Sequence, residues 1–428
     1  MKFWRGVYTL TTATLLPVLT ARLLFKSMRN RDYRQRIAER FACNRLVPDD
    51  RTLLWVHAVS VGEVLAVAPL VALWKKDVTL DVVITTTTPT GSRQVRAAFG
   101  DRVKHCYVPF DLSGFIRRFI RKLNIKALVV VETEIWPNML ATARANGLPC
   151  FLVNARLSAR SCARYARWPQ FSRWMLSHFD QVITRDQVDA DRFMSLGVST
   201  AKCQVLGNMK FDFSVDADVL SGGVRWREQH FATRPVWIAA STHRGEEELI
   251  LRMHQRIVMQ YPDALLLLVP RHPERFTEVF AACQASGFTV LRRSQQTTVT
   301  EMTQVYLVDS MGELMFMYAA SDVVFVGGSL VAVGGHNFIE PAALAKPMLS
   351  GEHVFNFQSV AASLRELGVL RCSNNIDALA EQVCTWFGDH RARADCGSLA
   401  RDFVHHNRGA VARVAAVIQA CLNTTRPS

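Results

Sequence analysis

Residues 320–349 read ASDVVFVGGSLVAVGGHNFIEPAALAKPML, in the order strand, glycine-rich loop, helix and strand. The run from Val323 to Val326 is apolar without alternation, as expected of a parallel strand buried on both faces. Two glycine pairs follow, which let the backbone take positive φ and approach a ligand closely. Helical character resumes near Asn337, whose side chain suits an N-cap, so free amides would face an anion. The stretch therefore predicts a nucleotide-binding turn in a parallel α/β domain.

A simpler interpretation of the same residues stays open. Asn337 and Glu340 have the spacing of a capping box, in which the carboxylate reaches back to the cap amide. Alternatively, Glu340 accepts hydrogen bonds from two ribose hydroxyls. The pattern is neither G-x-G-x-x-G nor a Walker loop, which favours a nucleotide sugar over a dinucleotide or a triphosphate.

Length, charge and cysteine content set the outer limits. With 428 residues the chain is too long for one ordinary core and suits two domains. The formal net charge of +14 favours an acidic partner, which could be nucleic acid, anionic lipid or a phosphorylated substrate. The ten cysteines have neither a C-x-x-C pair nor a zinc-type spacing with histidine, so we expect reduced thiols in a cytoplasmic protein.

The amino-terminal segment has a membrane signature. Residues 1–45 hold ten lysines or arginines, and these bracket an uncharged apolar run from Gly6 to Ala21. No cleavage site follows, and the basic block after the run would hold the body of the protein in the cytoplasm. We expect an uncleaved anchor that either spans the bilayer or lies in its interface. A buried first helix is the alternative.

In the first half, acidic side chains follow predicted strands. Glu63 lies at a strand-to-helix turn, where parallel α/β folds bind ligands. It could serve as a general base, or it could only favour the dipole of the following helix. Glu132 and Glu134 stand beside Trp136 where another buried strand stops, and a surface loop with ordinary acids is the alternative.

Two further patterns lie later in this half. Residues 156–174 interleave arginine with tyrosine and tryptophan, which is typical of nucleic-acid or membrane binding, and the anchor favours the membrane. Asp189 and Asp191 match the D-x-D of metal-dependent sugar transferases, but they fall inside a helical stretch. We therefore expect a solvated helix face there.

In the second half, basic residues and amides follow strands. Arg271 and His272 come after the strand 264–269 and suit a phosphate, with ordinary surface charge as the alternative. The turn 310–315 ends another strand, and its amides could hold a base or a phosphate. Residues 213–234 are polar and poor in strand pattern, which predicts the interdomain connection.

Two successive α/β units with polar loops at strand ends describe the GT-B glycosyltransferase architecture, in which two Rossmann-like domains face a cleft. The motifs closely resemble those of the 3-deoxy-D-manno-octulosonic acid (Kdo) transferases of lipopolysaccharide synthesis, and the resemblance runs nearly end to end. They are Ser60-Val-Gly-Glu63, Thr86-Thr-Thr-Pro-Thr-Gly-Ser92, Glu132-Thr-Glu-Ile-Trp-Pro-Asn138, Asn154-Ala-Arg-Leu-Ser-Ala-Arg160, Lys210-Phe-Asp212, Pro270-Arg-His-Pro-Glu-Arg275, Met311-Gly-Glu313 and Gly327-Gly-Ser-Leu with Gly335-His-Asn-x-x-Glu340.

This resemblance implies an enzyme that moves Kdo from CMP-Kdo to the lipid A precursor lipid IVA, inverting the anomeric centre without metal or cofactor. It implies a membrane-anchoring helix in 1–28, an acceptor-binding domain in 29–215 and a CMP-sugar-binding domain in 216–428. The catalytic domains would lie on the cytoplasmic face of a bacterial inner membrane, with no nucleic-acid partner.

The resemblance also assigns residues. Glu63 matches the general base, and Glu132 and Lys210 match positions that stabilise the transition state. The residues that match CMP-contacting segments are Pro270, Arg271, Met311, Gly312, Glu313, Asn337, Phe338, Ile339 and Glu340.

Other functions were weighed against this one. The first alternative is another GT-B transferase that acts on a lipid-linked sugar. A nicotinamide oxidoreductase would share Rossmann halves, but no strand here is followed by G-x-G-x-x-G. A non-catalytic membrane or nucleic-acid binding protein would use the basic surface without needing Glu63.

Overall fold

The computed structural model describes residues 2–29, 31–48, 51–213, 216–231, 233–295 and 299–424. The chain divides into two compact units, one formed by Met1–Phe213 with Asn407–Ser428 and the other by Ser214–His406. Each unit contains a seven-stranded sheet in which every strand pair is parallel. The predicted pair of α/β domains is confirmed.

The strand order is β3-β2-β1-β4-β5-β6-β7 in the first sheet and β10-β11-β9-β8-β12-β13-β14 in the second. The strands of the first sheet are β1 (Thr52–His57), β2 (Leu80–Thr86), β3 (Lys104–Tyr107), β4 (Ile125–Val131), β5 (Cys150–Ala155), β6 (Gln181–Thr184) and β7 (Cys203–Val205). Those of the second are β8 (Val236–Thr242), β9 (Leu265–Pro270), β10 (Val290–Arg292), β11 (Val305–Leu307), β12 (Val323–Val326), β13 (Met348–Ser350) and β14 (Leu370–Cys372).

Helices cover both faces of each sheet. The first unit begins with α1 (Lys2–Arg29), α2 (Val61–Trp74), α3 (Pro89–Phe99), α4 (Ser113–Leu123), α5 (Pro137–Ala145), α6 (Ala159–Ala166), α7 (Pro169–Leu176) and α8 (Gln187–Ser195). The second unit holds α9 (Ala217–Phe231), α10 (Glu247–Gln260), α11 (Phe276–Ala285), α12 (Leu314–Ala320), α13 (Ile339–Ala343), α14 (Gln358–Glu366), α15 (Ile376–Gly388) and α16 (His390–His406). The last helix, α17 (Ala410–Thr424), returns to the first unit.

The central strands are continuous apolar runs because both of their faces are covered. Every residue of β2, β5 and β9 is buried. Two clusters lie on opposite faces of the first sheet, one around Phe119 and the other around Leu70. The sheet is therefore a rigid base for the loops at its carboxyl edge.

The strand orders place a switch point in each sheet. β1 lies between β2 and β4, and β8 lies between β9 and β12. At such a point the connections leave in opposite directions, so that a crevice opens outside the carboxyl ends of the strands. The loops that follow β1, β4, β8 and β12 are therefore the places to look for function.

The end of the second domain differs from the prediction, which assigned all of 216–428 to it. Residues 407–428 belong to the first unit, where Val411, Val414 and Ile418 of α17 join the core around Leu70. The Asp212 carboxylate accepts hydrogen bonds from Gly409 N at 2.5 Å and Val411 N at 2.6 Å. The sequence pattern of α17 predicts a helix but does not indicate which unit it packs against. The predicted boundary at residue 215 lies outside the described residues.

The predicted anchor is a helix. Trp4–Met28, within α1, is the one stretch among the described residues that is long and apolar enough to cross a membrane, with mean hydropathy 1.3. Pro17 lies inside it. By length and composition alone, a signal sequence passes the same test.

Candidate active site

Glu63 lies in the first turn of α2, directly after the central strand β1. Ser60 caps this helix, and its Oγ accepts a hydrogen bond from Glu63 N at 3.3 Å. The Glu63 Oε2 accepts one from Val59 N at 2.6 Å, so the carboxyl folds back on the turn. The side chain is only 6% exposed. Burial, together with the negative charges of Glu134 and Glu132, raises the pKa of this carboxyl to about 8. A buried carboxyl with a pKa near neutrality is suited to proton transfer.

Glu132 follows β4, the neighbour of β1, and has a left-handed backbone with φ 58°. Its Oε1 lies 2.7 Å from Lys210 Nζ. Burial alone would raise its pKa, but the positive charges of Lys210, Arg185 and Arg156 outweigh it and hold the pKa below its usual range. Glu132 is therefore a carboxylate at neutral pH.

Glu134 is the third acid of this loop. Its Oε2 accepts a hydrogen bond from Trp136 Nε1 at 3.0 Å, and burial followed by the Glu132 charge raises its pKa above the usual range. Glu132 and Glu134 have partners and shifted pKa values, unlike ordinary acids of a surface loop. The loop after β4 thus places two more carboxyl groups near Glu63.

Two asparagines position Lys210. The buried Asn154, at the end of β5 with φ 51°, accepts a hydrogen bond at Oδ1 from Met209 N at 3.0 Å. Asn208 Oδ1 accepts one from Lys210 N at 3.1 Å. These bonds hold the turn after β7 against the end of β5, which brings the Lys210 ammonium to Glu132.

The D-x-D pair lies in α8 as expected, but the expected solvated face is wrong for Asp189. This residue is buried, and its Oδ2 accepts hydrogen bonds from Arg185 Nη2 at 2.8 Å and Nε at 3.2 Å. Its Oδ1 accepts one from Leu157 N at 2.9 Å. Asp189 therefore supports Arg185, one of the cations that lower the pKa of Glu132.

The glycine loop after β12 has the predicted backbone. Gly328, Gly334 and Gly335 have φ of 68°, 107° and 75°. A side chain at Gly327 would place its Cβ 2.6 Å from Ser241 O, so this position requires glycine for close packing.

The anion at this loop is supplied by the protein. The fully buried Glu246 accepts hydrogen bonds from Gly328 N at 2.7 Å and from Ser329 N and Leu330 N, each at 2.9 Å. It also accepts one from His243 N at 2.9 Å. The amides at the start of the loop thus bind an internal carboxylate that sequence reasoning missed. The predicted anion site lies at other amides, those of the helix start near Asn337, and stays a prediction.

The helix after the loop begins at Ile339, one residue later than an N-cap at Asn337 implied. Asn337 Oδ1 accepts a hydrogen bond from Ile339 N at 3.0 Å. Burial raises the pKa of Glu340, while its hydrogen bond with the Asn337 side chain lowers it. Phe338 and Ile339 are fully buried, so neither residue is accessible to a ligand in this structure. The hydrogen bonds of Asn337 agree with the capping interpretation. Glu340 remains partly accessible, which the ribose interpretation requires.

A basic cluster lies at the switch point between β8 and β12. His243 Nε2 and His336 Nε2 are 2.8 Å apart, and the two rings are stacked. The His272 ring stands edge-on to His243, with centroids 5.1 Å apart. Arg271 directly follows the buried Pro270 at the end of β9, and its N donates to Thr242 O at 3.0 Å. The sequence analysis had selected Arg271 and His272 but not the other two histidines.

The turn Met311–Glu313 follows β11. Gly312 has φ 88°, and Met311 is exposed. The Glu313 carboxylate pairs with Arg293 Nη2 at 2.7 Å and accepts a hydrogen bond from Ser310 Oγ. This turn leaves its backbone open for a ligand while its acid is held by Arg293.

The chain was compared with known proteins. Residues 35–213 match a family model described as 3-deoxy-D-manno-octulosonic-acid transferase (kdotransferase). The chain is 40% identical over 415 residues to the 3-deoxy-D-manno-octulosonic acid transferase of Haemophilus influenzae, covering 96% of this chain and 97% of the other. It is 37% identical to that of Bordetella pertussis, covering 83% and 85%. The chain belongs to the Kdo transferase family. It is therefore a glycosyltransferase of lipopolysaccharide biosynthesis.

The fold of this Kdo transferase is also similar to solved structures. A glycosyltransferase from Rickettsia africae matches with a TM-score of 0.60 at 14% identity, covering 88% of this chain and all of the other. At this identity the likeness concerns the fold alone, and it agrees with the predicted GT-B class.

Within this Kdo transferase, the selected residues fall into two groups. Glu63 and Glu132 interact electrostatically and Glu132 pairs with Lys210, so the three lie together at the switch point of the first unit. In the second unit, Arg271 and the loop before Asn337 meet at the other switch point. The missed residues, Glu246, His243 and His336, carried a signal, since all three are polar residues at strand-to-helix turns.

Proposed function

We propose that this enzyme transfers Kdo from CMP-Kdo to the lipid A precursor lipid IVA, with inversion at the anomeric carbon and without a metal ion. The observation that carries the proposal is the buried Glu63 carboxyl at a switch point, with a pKa near 8, beside the Glu132–Lys210 ion pair. Membership of the Kdo transferase family identifies the transferred sugar as Kdo. The donor nucleotide, the acceptor and the stereochemistry are our proposal.

Glu63 acts as the general base. Its carboxylate takes the proton of the acceptor hydroxyl while that oxygen attacks the anomeric carbon and CMP departs. A single displacement of this kind inverts the configuration. Because the pKa of Glu63 lies near neutrality, the group is a stronger base than an ordinary carboxylate yet still ionises at the working pH.

Glu132 and Lys210 support this step. The ion pair keeps Glu132 negative, and that charge raises the proton affinity of Glu63. The Lys210 ammonium supplies a fixed positive charge at the same site, where it stabilises negative charge that develops during transfer.

The second unit binds the CMP half of the donor. Arg271 provides a cation for the phosphate, and the open turn Met311–Glu313 provides backbone groups for the base. Glu340 accepts hydrogen bonds from the ribose hydroxyls, with Asn337 beside it. Phe338 and Ile339 are fully buried at the start of α13, where they hold Asn337 and Glu340 in place.

The enzyme works on the cytoplasmic face of the bacterial inner membrane. Support comes from the apolar helix α1, the basic residues around it and a lipid acceptor. The arginine-rich segment 156–174 extends the basic surface of the same unit.

Product analysis tests the proposal. The purified full chain, incubated with CMP-Kdo and lipid IVA, is expected to give a product heavier by one or more Kdo residues in mass spectrometry. Stabilisation by UMP rather than CMP in a thermal-shift assay, with no Kdo product, would instead favour a GT-B transferase that acts on another lipid-linked sugar.

A further inference from the structure

The glycine loop of the second unit has no free anion site at its first amides. Gly328 N, Ser329 N and Leu330 N all donate to Glu246, a carboxylate that is fully buried. A second anion beside Glu246 would meet like-charge repulsion and would find these donors already used. A phosphate that binds at this switch point must therefore use other groups.

Imidazole rings and a guanidinium converge at the same strand ends. His243 follows β8, His272 follows β9 and His336 follows β12, so three neighbouring strands each contribute one ring. The two Nε2 atoms of His243 and His336, 2.8 Å apart, share one hydrogen. His272 is 46% exposed at the side chain, which opens the cluster to solvent.

The positive charge of this cluster is the Arg271 guanidinium. In the described part of the chain, no carboxylate oxygen lies within 4.0 Å of the Arg271 guanidinium, whereas Arg275 pairs with Glu247 at 2.5 Å. Burial, then His243, Arg271 and His272, lowers the pKa of His336 to about 4. Burial, then His272, Arg271 and Arg275, also lowers that of His243. The lowered pKa values keep His243 and His336 neutral near pH 7, so an anion would pair with the Arg271 guanidinium and accept hydrogen bonds from the rings.

We propose that His243, His272 and His336 form, together with Arg271, the site for the phosphate group of the donor nucleotide. This inference rests on the proposed CMP-sugar donor. The rings donate N–H hydrogen bonds to the phosphate oxygens. For the His243–His336 pair, the hydrogen bond between the two Nε2 atoms breaks and the ring that carries the hydrogen rotates to face the ligand. The group that leaves as CMP gains negative charge, so the same contacts strengthen as the glycosidic bond to phosphate breaks.

Calorimetric titration of the full chain with CMP and with cytidine tests this site. We expect His272→Asn and His336→Asn each to weaken CMP binding by about tenfold and to leave cytidine binding unchanged, because cytidine lacks the phosphate. His405→Asn, an exposed histidine of α16 in the same unit, is the matched control and should bind both as the unsubstituted protein does.

The outcomes separate the inference from the function it rests on. A wild-type chain that does not bind CMP contradicts the proposed donor. Normal CMP affinity in both variants overturns the phosphate site alone, as does an equal loss of CMP and cytidine binding. Loss of CMP-Kdo binding with normal CMP binding would assign the rings to the sugar carboxylate and would also overturn it. Because His272 is exposed, its variant remains informative if His336→Asn does not fold.

A second inference comes from the contacts of α1. Near its start, Tyr8 OH donates to Asp111 Oδ2 at 2.8 Å, Thr9 Oγ1 lies 2.9 Å from Asn138 Oδ1, and Trp4 packs edge-on against Trp168. After its end, Asp32 pairs with Arg93 at 2.5 Å. Both ends of the helix are thus tied to the first unit.

This geometry is incompatible with a span. From Thr9 to its end at Arg29, α1 covers about 30 Å, which is the thickness of the hydrocarbon core. A helix that crossed the core would place one of these contacts on the far side, away from the unit that makes it.

The outward face of α1 is largely apolar, with Arg22 also exposed among its apolar side chains. Its exposed large side chains are Val7, Leu10, Leu15, Val18, Leu24, Phe25 and Met28. Next to Trp168, the exposed Arg160, Arg164 and Arg167 line a hollow of about 280 Å³ on α6. Apolar side chains beside arginines are complementary to acyl chains and anionic headgroups.

We infer that α1 lies in the plane of an anionic bilayer surface, with its outward face in the lipid and its other face on the first unit. In inverted inner-membrane vesicles, protease should remove an epitope tag fused before residue 1 and also digest the body of the protein. Protection of the tag while the body is digested overturns the in-plane arrangement. Absence of the protein from the vesicles would instead contradict the proposed membrane association.

Discussion

The Glu63 carboxyl group has two roles. It accepts a hydrogen bond from Val59 N at the start of α2, and its raised pKa suits it to accept a proton. If it is the base, Glu63→Gln should keep the fold and CMP binding while slowing turnover by about 10²-fold or more. The amide occupies the same space and can still accept from Val59 N. Steady-state rates and melting temperature should be measured on the same preparation. A rate close to that of the unsubstituted enzyme would end the base assignment.

The pH dependence of stability gives an independent check on Glu63. Its pKa is raised from 4.5 to about 8 in the folded state, so between these values only the unfolded chain loses the proton. Glu63 therefore lowers stability as pH rises through this window, and the effect is complete above about 8. Glu63→Gln has no such proton, so from about pH 5 to pH 9 its stability should rise relative to the unsubstituted enzyme. Urea unfolding at both pH values measures this, and a constant difference would contradict the raised pKa.

Sequence reasoning reached Glu63 but not Glu246, although both are acids at strand-to-helix turns. Glu63 belongs to a motif that resembles the family. Glu246 stands in a Gly-Glu-Glu-Glu run that resembles the acidic residues often found in the first turn of a helix. Its partners lie 82 to 84 residues further along the chain. Which of three adjacent carboxylates turns inward depends on tertiary packing, and no local pattern encodes it.

At the scale of the element, the glycine loop depends on Glu246. Glu246→Ala removes the acceptor of four backbone N–H groups and should lower the free energy of unfolding by at least about 3 kcal/mol. Glu248→Ala, an exposed neighbour in α10, is the control and should change stability little. Denaturant unfolding of both variants measures the difference, and equal stability would mean that the loop holds its shape without the carboxylate.

Helix α1 is the second element with a testable role. No candidate site residue lies in it, so a chain that starts near residue 29 should bind membranes less and still turn over detergent-dispersed acceptor. Its melting temperature should fall, because Asp111 and Asn138 lose Tyr8 and Thr9 as partners. Complete loss of activity in a folded truncation would show that α1 takes part in the chemistry.

At the scale of the whole molecule, α17 completes the first unit. A chain that ends at residue 406 lacks Val411, Val414 and Ile418, and their removal uncovers the apolar side of α2. The first unit should then become sensitive to protease while the second, Ser214–His406, stays resistant. Mass analysis of the limited digest identifies the surviving fragment, and survival of the first unit would contradict this dependence.

The two α/β units were readable from the sequence because buried parallel strands are continuous apolar runs. The packing of α17 against the first unit could not be predicted, because an apolar helix face of this kind can pack against either core. Likewise, β12 was predicted to the residue, whereas α13 begins at Ile339, one residue after the start that an N-cap at Asn337 implied.

The return of α17 also bears on the order of events during synthesis. Asp212 and the Gly409 amide that it binds are 197 residues apart, so the ribosome makes all of the second unit between them. The second unit can collapse as soon as it emerges, while the first waits with the apolar side of α2 uncovered. For this chain we therefore expect the second unit to finish folding before the first, in contrast to the usual order in which the amino-terminal domain folds first.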